Sequence, residues 1–262
     1  MILYSSVYSS IFAPTMDQKI RVGAVNYLNT KPLIYGLQHG PLSEKINLQL
    51  DYPANLTAML QKNKLDIALL PVAAIPLIND SQIISNYCIA SNQKVASVCL
   101  FSEVPIDEIQ EIYLDYQSRT SVMLLRILLK EYWQIRPSLL EGDEQYISQI
   151  KGKTAGLIIG DRALENLKAF PYVYDLAEAW YDYTKLPFVF AVWVANKKIN
   201  PTLLEEFNIA NSIGFQRIEE IISDLSYTPY DLSNYYRNNI NYSLDEEKTK
   251  GMTLFLKMIE KL

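Results

Sequence analysis

Short polar side chains stand at two points where an apolar strand passes into a helix, and together they could bind an anion. At the first point Tyr27, Asn29 and Thr30 precede the helix that Pro32 opens. The first N–H groups of a helix have no partner within it, so this turn offers hydrogen-bond donors to a carboxylate or phosphate. The plainer interpretation is that Asn29 and Thr30 only cap the helix, as such residues commonly do.

The second point is the run Ser118-Arg119-Thr120-Ser121, where a short strand leads into a helix with an apolar face. Hydroxyl groups, backbone N–H groups and the helix dipole all favour a carboxylate there. The alternative is again a simple N-cap. A cap does not need a guanidinium, however, and Arg119 could hold a carboxylate through two parallel hydrogen bonds. The sequence supports the two interpretations about equally.

Two further segments place polar residues beside apolar strands. Ser97 is a hydroxyl within a strand-like run, where it could equally bond a neighbouring backbone group. Gly160 and Asp161 follow the apolar strand 157–159. Gly160 would let a ligand approach the backbone, and Asp161 could either bind the substrate or, as we favour, cap the helix that follows. We also expect Asp175 to cap the helix that begins after it.

Composition narrows the classes of function. The 262 residues carry a net charge of −5, which argues against nucleic acid or an anionic membrane as a partner. The single histidine, His39, lies in a predicted turn, and one histidine is too few for a typical zinc site. Cys88 and Cys99 lie in apolar runs, which predicts free, buried thiols in the reducing cytoplasm. Residues 1–17 lack the charged start of a secretory signal and are predicted to be a disordered extension.

Strands and helices alternate along the chain, which predicts an α/β fold with a mainly parallel sheet. Two units of similar build are joined by strand-like runs at about 95–102 and 188–195. We therefore expect two lobes, one formed by residues 18–95 with 195–262 and the other by residues 96–194, with both runs as crossover strands. A ligand would bind in the cleft between the lobes.

Five blocks of sequence carry a resemblance to one family. They are V-G-A-V-N-Y-L-N-T-K-P-L, S-R-T-S-V-x-L-L-R, I-G-D-x-A-L, D-L-x-x-x-W and L-P-F-V-F-A-V-W, in that order between residues 22 and 193. In type and order they resemble motifs of the chorismate dehydratases. The resemblance implies a two-lobed type II periplasmic-binding-protein fold and the conversion of chorismate to 3-[(1-carboxyvinyl)oxy]benzoate, the first step of the futalosine route to menaquinone. It implies no metal and no cofactor, with Asn29 and Ser97 in the catalytic site.

On this basis we expect each of the two helix N-termini, at Thr30 and at 118–121, to hold one carboxylate of the substrate. Asn29 would stabilise developing negative charge with help from Ser97, and the enolpyruvyl carboxylate of the substrate could act as base. Two alternatives remain. One is a solute-binding or sensor protein with the same fold. The other is dihydroxynaphthoate synthase, although its opening Ser-Pro-Cys-Pro-Asn-Asp type run is absent from this sequence. The sequence leaves the oligomeric state open.

Overall fold

The structure, a computed structural model, describes residues 19–262. The prediction of a disordered extension at residues 1–17 lies outside the described residues. The strands are β1 (Ile20–Ala24), β2 (Ile46–Leu50), β3 (Ile67–Pro71), β4 (Gln82–Ser91), β5 (Val98–Ser102), β6 (Glu111–Leu114), β7 (Ser138–Glu141), β8 (Thr154–Ile159), β9 (Tyr172–Asp175), β10 (Phe188–Ala195) and β11 (Asn241–Ser243).

Helices join most of these strands. The α-helices are α1 (Lys31–His39), α2 (Pro53–Gln61), α3 (Arg119–Ile127), α4 (Asp161–Asn166), α5 (Leu176–Thr184), α6 (Pro201–Ile213), α7 (Ile218–Leu225), α8 (Leu232–Asn234) and α9 (Glu246–Ile259). Short 3₁₀ turns lie at Leu28–Thr30, Pro41–Glu44, Val72–Leu77, Ile106–Glu108, Tyr146–Gln149 and Gly214–Gln216, and π-helical turns at Leu128–Tyr132 and Tyr235–Asn239. None of the helices among residues 19–262 is long and apolar enough to cross a membrane.

The strands form two sheets, which confirms the two-lobed α/β prediction. The first sheet has the order β11-β4-β10-β3-β1-β2, and the second has the order β7-β6-β8-β5-β9. In the first sheet β1 runs parallel to β2 and β3, as expected where helices connect successive strands. In the second sheet β6 runs parallel to β7 and β8.

The prediction of a mainly parallel sheet was wrong, because both sheets are mixed. In the first sheet β10 is antiparallel to both of its neighbours, β3 and β4, and β11 is antiparallel to β4. In the second, β5 is antiparallel to β8 and β9. The cause is that the chain passes between the lobes twice. β5 enters the second sheet from the first lobe and β10 enters the first sheet from the second lobe, and each runs antiparallel to the strands beside it. Residues 188–195, expected to be a crossover strand, pair only within the first sheet. The exact bounds of the lobes stay a prediction.

Asp175 holds the chain where it first passes between the sheets. One carboxylate oxygen accepts from the N–H groups of Ala177 and Glu178, so Asp175 caps α5 as its motif predicts. The other oxygen accepts from the N–H groups of Val95 and Ala96, at 2.9 and 2.6 Å. Ala96 has a φ of 64°, a left-handed conformation that costs a residue with a Cβ about 1 kcal/mol or more. The next residue in the chain is Ser97, so this carboxylate fixes the backbone beside a predicted site residue.

One large apolar core lies under both sheets. An aromatic cluster of Trp180, Phe188 and Phe255 packs edge to face and joins α5, β10 and α9. Cys88 and Cys99 are free and buried, as predicted. His39 is exposed, as expected, but it is the last residue of α1 and not part of a turn.

Candidate active site between the two sheets

A cavity of about 70 Å³ lies between the two sheets. Its polar lining comes from neutral residues of both lobes and of the connection between them. The lining residues are Val25, Tyr27, Asn29, Pro53, Leu69, Pro71, Ile89, Val95, Ser97, Val98, Gln117, Ser118, Ser121, Ile159, Gly160, Phe190 and Ala191. No charged side chain of the described residues is among them. The cavity therefore offers a ligand apolar walls and uncharged hydrogen-bonding groups.

Asn29 is held at the cavity by contacts on both its side chain and its backbone. The hydroxyl of Thr30 donates to Asn29 Oδ1 at 3.3 Å, and Tyr242 donates to the Asn29 carbonyl at 3.0 Å. Neither Asn29 nor Thr30 makes a side-chain capping bond to α1, so the simple capping interpretation was wrong. With Oδ1 occupied by Thr30, the Asn29 amide can turn its N–H groups towards the interior.

Ser97 lies on the connection between the sheets and is 1% exposed. Its carbonyl accepts from the N–H of Gly160 at 2.7 Å, and its Oγ accepts from the hydroxyl of Tyr235 at 2.8 Å. Burial raises the pKa of Tyr235 well above its usual value. Ser97 and Tyr235 are thus joined by a hydrogen bond, although they come from distant parts of the chain.

The N-terminus of α3 contributes two serines. Ser118 caps the helix by accepting from the N–H of Ser121 at 3.2 Å, and its own hydroxyl donates to Ser121 Oγ at 2.8 Å. Both serines line the cavity. Ser118 therefore caps the helix, as one of the two interpretations predicts, and it also lines the cavity, while carboxylate binding there stays a prediction.

Three predicted substrate-binding residues do not reach the cavity. Arg119 is the first residue of α3 and its side chain is exposed, outside the lining set. Thr120 is buried and accepts from the N–H of Ala73, which ties α3 to the first lobe. Thr30 is fully buried, and its N–H donates to the Tyr27 carbonyl within the 3₁₀ turn. The turn has already used this donor, and the binding of a carboxylate at Thr30 stays a prediction.

Gly160 and Asp161 lie where β8 ends, and only Gly160 lines the inner cavity. Gly160 has a φ of 66°, a conformation that favours glycine. Asp161 was expected to cap α4, but its Oδ1 accepts from the N–H of Leu28 at 3.1 Å, in the other lobe. The carboxylate thus holds the two lobes together. Burial raises the pKa of Asp161, and the hydrogen bond from Leu28 opposes the rise.

An outer pocket of about 440 Å³ adjoins the cavity and shares Tyr27, Gln117 and Ile159 with it. Tyr27 donates across the cleft to Gln117 Oε1 at 3.0 Å, between the two spaces. Asp161 and Arg162 line the outer pocket. Arg162 is already paired with the buried carboxylate of Asp115 at 2.7 Å. A ligand entering by the outer pocket would pass the Tyr27–Gln117 hydrogen bond.

Three residues at or beside the cavity were not predicted from the sequence: Gln117, Tyr235 and Tyr242. The signal available for the tyrosines was their density, since five tyrosines fall between residues 227 and 242. No motif assigned them to the site, however. Among residues 19–262, no group of three or more His, Cys, Asp or Glu side chains is arranged to hold a metal ion.

The fold and the cleft define the class of protein first. The chain resembles protein AF1704 from Archaeoglobus fulgidus, with 16% identity, a TM-score of 0.72 and coverage of 94% of this chain and 98% of that one. It also resembles the periplasmic aliphatic sulphonate binding protein SsuA from Escherichia coli, with 12% identity, a TM-score of 0.63 and coverage of 93% and 92%. These likenesses show a periplasmic-binding-protein fold.

Sequence comparison then gives the family. The family model described as menaquinone biosynthesis matches residues 20–261, and the chain belongs to this family. A chorismate dehydratase from Thermus thermophilus is 29% identical over 259 residues, which covers 89% of this chain and 93% of that protein.

Proposed function

We propose that this protein is a chorismate dehydratase, a lyase that removes water from chorismate to give 3-[(1-carboxyvinyl)oxy]benzoate for menaquinone biosynthesis. The observation that carries the proposal is the meeting of Asn29 and Ser97 at one uncharged cavity between the lobes. These are the two residues to which the family resemblance assigns the chemistry. The membership of the menaquinone biosynthesis family and the dehydratase relative support the same reaction. The two free, buried cysteines favour a cytoplasmic enzyme.

The reaction requires little from the protein beyond positioning. Chorismate loses the ring proton beside its ether oxygen and the hydroxyl group on the next carbon, and the ring becomes aromatic. The cavity would hold the two carboxylates with neutral donors, including the hydroxyl of Ser121, whose Oγ accepts from Ser118 and keeps its own proton for the ligand. Asn29 would donate to the charge that develops on the reacting part, with Ser97 Oγ beside it. Preorganised donors in a water-excluded site stabilise such charge without reorganising during the reaction.

The base is assigned to the substrate itself. No aspartate, glutamate, histidine or lysine among the described residues lines the inner cavity. The enolpyruvyl carboxylate of bound chorismate can reach the adjacent ring proton, and holding it in that geometry converts the transfer into an intramolecular step. The role of the protein is then to select the reactive conformer and to exclude water.

Turnover of chorismate by the purified protein tests the proposal. Loss of chorismate and the appearance of aromatic ring protons, followed by NMR, would support it. Tight binding of chorismate without turnover would contradict it and favour a solute-binding protein, the function in the name of the SsuA relative. The absence of both binding and turnover would overturn the assignment of this substrate.

Salt should change the reaction only slightly. Because the inner cavity has no cation among its described lining residues, kcat/KM for chorismate should change by less than about threefold between about 0.02 and 0.5 M KCl. The exposed Arg119→Gln variant should match the wild type in the same titration. Initial rates provide the measurement. A fall in kcat/KM of tenfold or more at high salt would show that a cation binds the substrate. If the Arg119→Gln variant did not show this fall, Arg119 would be that cation.

Removing the hydroxyl of Tyr27 should weaken substrate binding more than it slows the chemical step. Tyr27→Phe breaks the 3.0 Å bond to Gln117 across the cleft, which stabilises the closed lobes by about 1 kcal/mol. The closed fraction falls, and KM for chorismate should rise about fivefold with kcat changed less. Tyr113→Phe is the matched control, because its hydroxyl also donates to a glutamine, Gln149, but away from the cavity. A fall in kcat at unchanged KM would contradict this role.

A further inference from the structure

Tyrosines from the segment 227–242 reach three polar residues of the site. Tyr235 donates to Ser97 Oγ at 2.8 Å and Tyr242 donates to the Asn29 carbonyl at 3.0 Å. Tyr227 lies 3.5 Å from the Asp161 carbonyl through its hydroxyl. These tyrosines are absent from the lining of the inner cavity. They therefore contact the site residues from behind.

Among them Tyr235 has the most specific contact. It is 0% exposed, and its ring packs against Tyr230 and Tyr236, so its hydroxyl has a fixed position. Tyr235 is the first residue of the π-helical turn Tyr235–Asn239, which follows directly on α8. Such turns are rare and are frequently found at functional sites. The hydroxyl bonds Ser97, one of the two residues to which we assign the chemistry.

The chemistry of a serine hydroxyl gives this contact a consequence. Ser97 Oγ has one proton and two lone pairs. Because Tyr235 donates to one lone pair of Ser97 Oγ, the hydrogen bond between the two residues uses the proton of Tyr235. The proton of Ser97 is therefore free for an acceptor in the cavity. Burial keeps Tyr235 a neutral donor, because it raises the pKa of the phenol far above the working pH. Without Tyr235, Ser97 Oγ would lose the bond that holds both its rotamer and the direction of its proton.

We propose that Tyr235 is a positioning residue that orients the hydroxyl of Ser97, so that Ser97 donates its proton to the substrate. The inference rests on the proposed function, because it gives Ser97 a role in turnover. It adds a residue from a segment that none of the family motifs covers. If the bond to Ser97 served only to pair the buried hydroxyl of Tyr235, the effect of Tyr235→Phe on kcat would not depend on Ser97.

A double-mutant cycle separates these two roles. Tyr235→Phe should lower kcat about tenfold with KM within about twofold, since the bond matters for a donor used in the transition state. Ser97→Ala should lower kcat at least as much. In the Ser97→Ala background, Tyr235→Phe should have no further effect, because its only route of action has been removed. Independent, multiplying effects in the double variant would overturn the proposal.

Tyr230→Phe is the matched control. Its ring packs against Tyr235, but its hydroxyl donates to Asn239 at 3.0 Å and not to Ser97. The control should keep kcat within about twofold of the wild type, although both single tyrosine variants lose the bond that the hydroxyl donates, which is buried for Tyr235 and partly buried for Tyr230. Equal kcat for Tyr230→Phe and Tyr235→Phe, at equal melting temperatures, would show a structural role only.

Crystal structures of the wild type and of Tyr235→Phe provide a readout that does not depend on turnover. Ser97 Oγ should leave its single rotamer in Tyr235→Phe and keep it in Tyr230→Phe. An unchanged Ser97 rotamer in Tyr235→Phe would overturn the positioning role even if the enzyme is active. If the wild type does not convert chorismate, the proposed function fails, and the Ser97 rotamer still decides whether Tyr235 positions it.

Discussion

Alanine in place of Asn29 should lower kcat/KM for chorismate about 10²–10³-fold, the usual loss when one preorganised donor to developing negative charge is removed. Asn29 lines the cavity, and contacts from Thr30 and Tyr242 hold it in place before substrate binds. Most of the loss should fall on kcat, because the amide acts on charge that appears in the transition state. Steady-state kinetics over a range of chorismate concentrations gives the two constants.

Substitution of the exposed Asn55 in α2 provides the control, because it removes the same type of side chain at a position outside the cavity. Asn55→Ala should keep kcat/KM within about twofold. The melting temperature of Asn29→Ala should stay close to that of the wild type, because its side chain is only partly buried. Full turnover by Asn29→Ala would remove Asn29 from the mechanism.

The second large effect is on stability, and it concerns Asp175. Asp175→Ala leaves four buried or partly buried N–H groups without their acceptor, those of Val95, Ala96, Ala177 and Glu178. At about 1 kcal/mol for each bond, the free energy of unfolding should fall by about 4 kcal/mol, and the melting temperature by about 10 °C. Activity should fall as well, since Ala96 would lose the bond that holds its left-handed conformation next to Ser97. Urea denaturation and differential scanning calorimetry measure the change.

Asp175→Ser divides this effect between its two parts. A serine can still cap α5, but its single oxygen cannot also reach Val95 and Ala96. Its loss of stability should be about half that of Asp175→Ala, with the loss of activity retained. Glu178→Ala, at an exposed position of the same helix, should change the melting temperature by less than about 2 °C. Equal stability of all three variants would show that the Asp175 contacts contribute nothing.

The features that the sequence predicted well depend on neighbours in the chain. Ser118 and Asp175 cap their helices as expected, because a cap joins residues two or three positions apart. The buried strands and the free cysteines could also be predicted, since apolar runs determine burial locally. The convergence of Asn29 and Ser97 was different in kind, because only the family resemblance connected them.

Long-range partners explain what the sequence could not provide. Asp161 bonds Leu28, 133 positions away, so its local surroundings pointed to the wrong role. Tyr235 bonds Ser97 across 138 positions, and no periodicity in its segment indicated which way the ring would point. Arg119 is the first residue of a helix that caps through Ser118 and its side chain is exposed, so carboxylate binding by Arg119 stays a prediction. The mixed sheets were missed because strand direction depends on where the chain returns.

The contacts of Tyr235 and Tyr242 have a consequence for synthesis of the protein. Asn29, Ser97 and Ser118 are translated long before the last strand, β11, which includes Tyr242. More than a hundred residues separate Ser118 from the tyrosines. Because translation adds about 5–20 residues per second, this separation corresponds to a delay of several seconds or more. During that interval the nascent chain carries the proposed site residues without the tyrosines that contact Ser97 and Asn29. Activity should therefore begin only when the tyrosine segment has folded back onto both lobes, so a nascent chain stopped before Tyr235 should lack it.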